Sequence, residues 1–181
     1  GICDGFGSFL GGKPLVKLDR LAVHGIAGLG GTILGTTNKG HPFETKVKLP
    51  GMKIMQFGFD GAKNPFLPHN YPAHCVAYTG THDNDTARGW FDTAPEHERA
   101  FALKYLHTDN DHFVWELIRS VWSSVAVYAL APMQDLLNLG GHARMNFPSR
   151  LGGNWEWRMS ETDMSEGLVN SLKQLNTLYS R

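Results

Sequence analysis

Four polar side chains stand in a row at His82-Asp83-Asn84-Asp85. A carboxylate flanked by an imidazole and an amide suits recognition of sugar hydroxyls, and it could stabilise a cationic transition state. Asp and Asn are also common turn formers, so a solvated turn accounts for the same four residues. Residue type alone does not separate the two readings. Nine histidines raise a metal site as an alternative, with His69 and His74 near His82 and Asp83. Zinc sites show tighter pairs, such as two histidines one helical turn apart, whereas these sit in proline-broken segments, so no metal is expected. The run 154–158, Asn-Trp-Glu-Trp-Arg, could stack on sugar rings or on single-stranded bases. No Ser or Cys lies in a recognisable nucleophile motif.

These residues need a frame, and the hydrophobic pattern predicts one. Residues 52–59 (MKIMQFGF) form an apolar run between Pro-Gly and Asp-Gly and are expected to be a buried strand. A second strand is expected over 74–78 (HCVAY) and a third over 126–133 (AVYALAPM). Residues 64–72 (NPFLPHNYP) hold three prolines and must be a structured loop. Helices are predicted over 95–106, with Asp92 or Thr93 as cap, over 113–125, and in the tail over 165–179. Trp115, Ile118 and Trp122 share a helical face, which is read as core. In the tail, Leu168, Leu172, Leu175 and Leu178 make an amphipathic stripe. Strand, loop and helix in alternation imply an α/β fold with parallel strands, whose functional residues follow the C-terminal strand ends. Three polar groups occupy such positions: Asp60, His82 to Asp85, and Gln134-Asp135.

Residues 1–45 differ in texture, with Gly25, Gly28, Gly30, Gly31, Gly35 and Gly40 crowded together. The run GLGGTILG fails the dinucleotide fingerprint, because Ile33 stands where the third glycine belongs. The segment reads as loop-rich and divergent, distinct from residues 46–181. Basic and acidic residues balance at 17 each, so neither nucleic acid nor an anionic membrane is an expected partner, since both need a basic face. Neutral sugars stay open. Cys3 and Cys75 are read as reduced thiols, and the start shows neither a charged leader nor an apolar span, so a cytoplasmic protein is expected.

Taken in order, LPGMKIMQFGFDG, NPFLPHNYP, YTGTHDNDTARGW, PMQDLLNLGGHARMNFP and GNWEWR resemble the amylomaltases, the 4-α-glucanotransferases of the α-amylase superfamily, from Leu49 to Arg158. The resemblance implies a partial (β/α)8 TIM barrel, with the three strands as barrel strands six to eight and a C-terminal helix. It implies retaining transfer of α-1,4-glucan segments between maltodextrins, with glucose as an acceptor and no cofactor. Asp83 would bind sugar hydroxyls beside the cleavage point and stabilise the oxocarbenium-like state, and His82 would bind the same sugar. Asn146 and Asp60 would contact the glucan chain nearby. GNWEWR would be structural or peripheral to the site, which leaves its tryptophans read as core. The family's nucleophile motif R-I-D-H-F-R-G and its acid/base motif E-D-L-G do not occur in the 181 residues. The run 17–20 (KLDR), with Asp19, faintly echoes the first, and Glu44 lies too close to the strand-six motif to supply the second. The chain alone is therefore expected to be inactive, and the alternative to an enzyme part is a glucan-binding or structural remnant. Three strands of a barrel would leave open sheet edges that favour self-association.

Overall fold

The computed structural model describes residues 51–181; Cys3, Asp19, Glu44 and the glycine-rich 1–45 segment lie outside them. The described chain builds a three-stranded sheet from β1 (Gly51–Ile54), β2 (Cys75–Tyr78) and β3 (Tyr128–Leu130), in that order. Both pairings are parallel, with Lys53 opposite Ala77 and Ala77 opposite Ala129. Alternate side chains of a strand face opposite ways, and the sheet obeys this. Cys75 and Ala77 are fully buried and join the helical core. The small residues Cys75, Ala77 and Ala129 let the helices approach closely. The opposite face carries Met52, Ile54, Tyr78 and Leu130, which line an open groove of about 640 Å³.

Between β2 and β3 come α1 (Ala87–Thr93), α2 (Glu96–Leu106) and α3 (Phe113–Trp122). A crossover through helices is what parallel pairing requires. Thr86 caps α1, its hydroxyl accepting from the Gly89 amide at 3.0 Å. On α3 the side chains of Phe113, Val114, Leu117, Ile118 and Val121 are buried, a single stripe at helical spacing. Phe113 stacks on Phe91 of α1 at 4.3 Å between centroids, and Phe59, arriving from β1, packs 5.3 Å from Trp90. One short turn, α4 (Met133–Leu136), follows β3. The last helix, α5 (Glu166–Tyr179), is capped by Ser165 and docks Leu175 into the core. Trp122 at the end of α3 donates to the Asn176 side chain of α5 at 2.9 Å. No helix of the described residues is long and apolar enough to cross a membrane.

Every predicted strand is present, but shorter than its apolar run, and β1 and β3 are not the buried strands expected: Met52, Tyr128 and Leu130 are exposed on the sheet face that no helix covers. The first leaves the sheet at Ile54, and Met55–Phe57 coils into a 3-10 turn. There the amide of Gln56 bonds to the Thr79 carbonyl at 3.2 Å, drawing the chain beneath the next loop. The third ends at Leu130, two residues before Pro132, which has no N–H to give the ladder and occupies the cap position of α4. Asp92 and Thr93 do not cap α2. They belong to α1, which the polar composition of ARGWFDT concealed, and Pro95 occupies the cap position of α2. Helix α3 stops at Trp122, where Ser123 and Ser124 turn their hydroxyls back onto the Ser120 and Val121 carbonyls. Trp115 and Trp122 pack against the core as expected. Leu178 does not, being 62% exposed, so the stripe on α5 is only partly covered.

Candidate functional site

Strand β2 delivers the chain into the loop of residues 79–86, which carries the four polar residues. Two of them build the loop. The Asn84 side-chain oxygen accepts from the Thr81 amide at 3.0 Å and from its hydroxyl at 2.7 Å. Asp85 accepts from the Thr86 amide at 2.8 Å. It packs so closely against α1 that a Cβ on Gly89 would lie 2.5 Å from its carboxylate, and one on Gly141 would lie 3.0 Å away. The turn reading therefore holds for Asn84 and Asp85. His82 and Asp83 are the pair left facing outward, with side chains 56% and 51% exposed.

A second segment, distant in sequence, completes the outward group. Asn146 donates from its side-chain amide to Asp83 Oδ1 at 2.6 Å, and its backbone amide bonds the His82 carbonyl at 3.1 Å. Arg144 joins the two segments, donating Nη2 to the Asp83 carbonyl at 2.7 Å and Nε to the Asn146 carbonyl at 2.8 Å. His82 Nε2 lies 3.4 Å from Asp83 Oδ1. Over the imidazole lies the indole of Trp155, 5.1 Å away between centroids. Trp155 holds a left-handed backbone conformation, φ 62°, and its amide bonds the Met145 carbonyl at 2.7 Å. Non-glycine residues adopt that region at a cost, and such residues gather at ligand-binding sites.

Beneath this group the loop is held by buried polar side chains. Gln56, from the end of β1, donates to the Asp85 and Thr86 carbonyls at 3.0 and 3.3 Å. Asp135, on α4 after β3, accepts from the Thr79 hydroxyl at 2.6 Å and from the Ala87 amide at 2.7 Å. Burial raises the Asp135 carboxyl above the ordinary range, against the lowering effect of those two donors. Between His82, Asp85, Asp135, Arg144 and Trp155 lies a pocket of about 120 Å³, and His82 and Asp83 also border the sheet-face groove.

Of the residues singled out from sequence, His82, Asp83 and Asn146 come together. Asp60 follows β1 but is engaged in its own loop, where Asn64 donates to its carboxylate at 2.6 Å and to the Phe57 carbonyl at 2.8 Å. His69 bonds the Tyr105 hydroxyl and the Ala62 carbonyl, both at 2.8 Å. Among the described residues no three His, Cys, Asp or Glu groups cluster as a metal would need. Trp155 corrects the reading of GNWEWR as core, since it is 52% exposed and stands over His82. Its signal was the aromatic pair in a polar, glycine-flanked run, a poor composition for a core element. Arg144 gave no signal, because nothing local shows that its partner lies 61 residues away.

Beyond the C-terminal ends of its parallel strands the α/β fold thus presents an exposed carboxylate and imidazole with a half-buried amide, at the edge of an open groove. Residues 34–164 match the family model described as 4-alpha-glucanotransferase, and the chain belongs to that family. It is 49% identical over 142 residues to the 4-alpha-glucanotransferase of Clostridium butyricum, covering 77% of this chain and 29% of that one. It is 52% identical over 126 residues to the 4-alpha-glucanotransferase of Thermus thermophilus, covering 65% of this chain and 25% of that one. Among solved structures, the amylomaltase of Streptococcus agalactiae in complex with acarbose superposes with a TM-score of 0.71 at 35% identity. That match covers 81% of this chain and 31% of the other. The chain thus spans less than a third of the length of these relatives.

Proposed function

We propose that this chain supplies the glucan-holding side of a 4-α-glucanotransferase site, acting on α-1,4-glucans. The observation that carries the reading is the exposed His82–Asp83–Asn146 group, set on the C-terminal side of parallel strands beside an open groove. Asp83 accepts bonds from sugar hydroxyls and opposes the positive charge that builds on the reacting sugar ring. His82 and Asn146 hydrogen-bond the same glucan, and Trp155 offers its indole to a ring face. Asp60, after the neighbouring strand β1, serves as a further contact to the glucan near the cleavage point. Strands β1, β2 and β3 take the places of barrel strands six, seven and eight, and further strands cover the apolar face of Met52, Ile54, Tyr78 and Leu130. Without such cover that face favours self-association.

Transfer with retention needs two further carboxyl groups about 5 Å apart. One attacks the anomeric carbon as the glycosidic bond breaks. The other protonates the departing oxygen and later takes the proton from the hydroxyl of the acceptor sugar, glucose included, as that oxygen attacks the anomeric carbon and the bond to the first carboxylate breaks. In this reading both come from outside the 181 residues. The test compares two proteins on maltotriose. One is the chain itself. The other is the C. butyricum relative with residues 51–181 grafted over its corresponding part. The graft is expected to produce glucose and longer maltodextrins, and the chain alone neither. Products from the chain alone, lost in Asp19→Ala or Glu44→Ala, would place the transfer machinery in the first fifty residues. A folded but inert graft would refute the reading.

A further inference from the structure

Gln134-Asp135 stands at a strand end and has no part in the reading above. Its carboxylate is buried, 2% exposed, where an apolar side chain of similar volume would serve packing as well. What distinguishes it is the pair of atoms it holds. Thr79 is the first residue after β2, and Ala87 is the first residue of α1. Asp135 Oδ2 takes the Thr79 hydroxyl and Oδ1 takes the Ala87 amide, so one carboxylate closes both ends of the loop that presents His82 and Asp83. Gln56, 3% exposed, grips the same loop from the β1 side at Asp85 and Thr86. The loop is thus clamped from both neighbouring strand ends by buried side chains, while His82 and Asp83 on its outer side stay more than half exposed.

We infer that Asp135 is a positioning residue for glucan binding: it fixes the 79–87 loop so that Asp83 meets Asn146 in the geometry a sugar needs. The inference rests on the glucan reading for its ligand, though not for its effect on the loop. A role by hydrogen-bond acceptance also predicts rescue by asparagine. The asparagine oxygen can accept from the Ala87 amide, and the Thr79 hydroxyl can turn to accept from the new NH2.

The experiment uses the 181-residue chain and maltoheptaose as probe. Amide exchange and backbone and imidazole NMR signals report the loop, and calorimetric titration reports binding. Asp135→Ala is expected to speed exchange at the Ala87 amide by at least 100-fold, to shift the His82, Asp83 and Asn146 signals, and to weaken maltoheptaose at least tenfold. Asp135→Asn is expected to restore most of each. Thr79→Val, which removes one of the two bonds, should fall between, and it carries the test should Asp135→Ala not fold. Leu175→Ala controls for lost stability alone and should leave loop signals and affinity near wild type. Unchanged His82 and Asp83 signals in a folded Asp135→Ala would overturn the inference, and so would an equal loss in Leu175→Ala. If wild type binds no maltoheptaose, the glucan reading fails, and the exchange and loop signals still decide the role of Asp135.

Discussion

The Asn146 side-chain amide donates to the Asp83 carboxylate at 2.6 Å across 63 residues of sequence. The bond joins the loop after β2 to the segment after α4, and it sets the direction of the carboxylate's remaining lone pairs. Asn146→Ala should therefore affect ligand more than fold. A single partly exposed hydrogen bond contributes about 1 kcal/mol or less to stability. Urea unfolding should show a loss of that size, while maltoheptaose affinity falls about tenfold. A stability loss with unchanged affinity would make Asn146 a structural residue.

Trp155 offers the opposite trade. Its left-handed backbone costs about 1 kcal/mol that glycine would not incur, and half of its surface meets solvent. Trp155→Gly should leave thermal stability equal or slightly higher, while weakening maltoheptaose by an order of magnitude. Reduced stability together with intact binding would assign the indole to packing after all.

Arg181 ties the end of α5 to the segment after α3. Its guanidinium donates to the carbonyls of Trp122 and Ser124 at 2.6 Å and of Ala126 at 2.9 Å. These carbonyls lie at and beyond a helix C-terminus, where a fork of donors is well matched. Arg181→Ala should cost about 1–2 kcal/mol in urea unfolding. Arg181→Lys keeps the charge without the fork and should recover less than half. Full recovery by lysine would show that charge alone acts there.

Ahead of α3, His112 Nδ1 lies 2.7 Å from Asp109 Oδ1. That hydrogen bond raises the His112 pKa, while the Asp109 carboxyl is lowered chiefly by the His112 backbone amide. The raised histidine adds stability below its unfolded value of about 6.5, and this is lost as pH rises through its folded value. The lowered carboxylate adds stability above its unfolded value of about 3.9, and this is lost as pH falls through its folded value. Both act between about pH 4 and pH 6.5. Both groups are exposed, so the effect is small and screened by salt. In an NMR titration, Asp109→Asn should move the His112 midpoint down. Its stability deficit against wild type should be larger at pH 5.5 than at pH 8.5. A His112 midpoint unmoved by Asp109→Asn would contradict the pairing.

The α/β class, the three parallel strands and most helices were legible because short apolar runs and helical stripes are local signals. Cys75–Tyr78 matched its run almost to the residue. The run around Met52 overstated its strand, since burial continues where the chain has already turned, and the run around Tyr128 did so because its apolar side chains lie on an exposed sheet face before Pro132 begins the next turn. Met55 is fully buried inside a 3-10 turn. Helix α1 was missed because its glycine and charged residues hide a helix that the Thr86 cap and the Phe91 contact stabilise. In the site, residue type alone could not separate His82 and Asp83 from Asn84 and Asp85, which the loop itself consumes, and only the family resemblance singled the outward pair out. The local patterns around Trp155 and Asp135 marked them as candidates, but their partners, His82 for one and Thr79 and Ala87 for the other, lie in distant segments that no local pattern reports.

The central claim is that Asp83 stabilises the reacting sugar, and turnover of the grafted enzyme tests it most directly. In the graft of residues 51–181 onto the C. butyricum relative, Asp83→Asn keeps the shape and the bond to Asn146 within reach while removing the charge. A group that opposes charge in the transition state acts mainly on kcat, at roughly 3 kcal/mol, or about 100-fold. The expected result is a kcat on maltotriose lowered by that factor or more, with KM changed severalfold at most and the unfolding midpoint unmoved. A folded Asp83→Asn graft that turns over maltotriose at the rate of its parent would contradict the account.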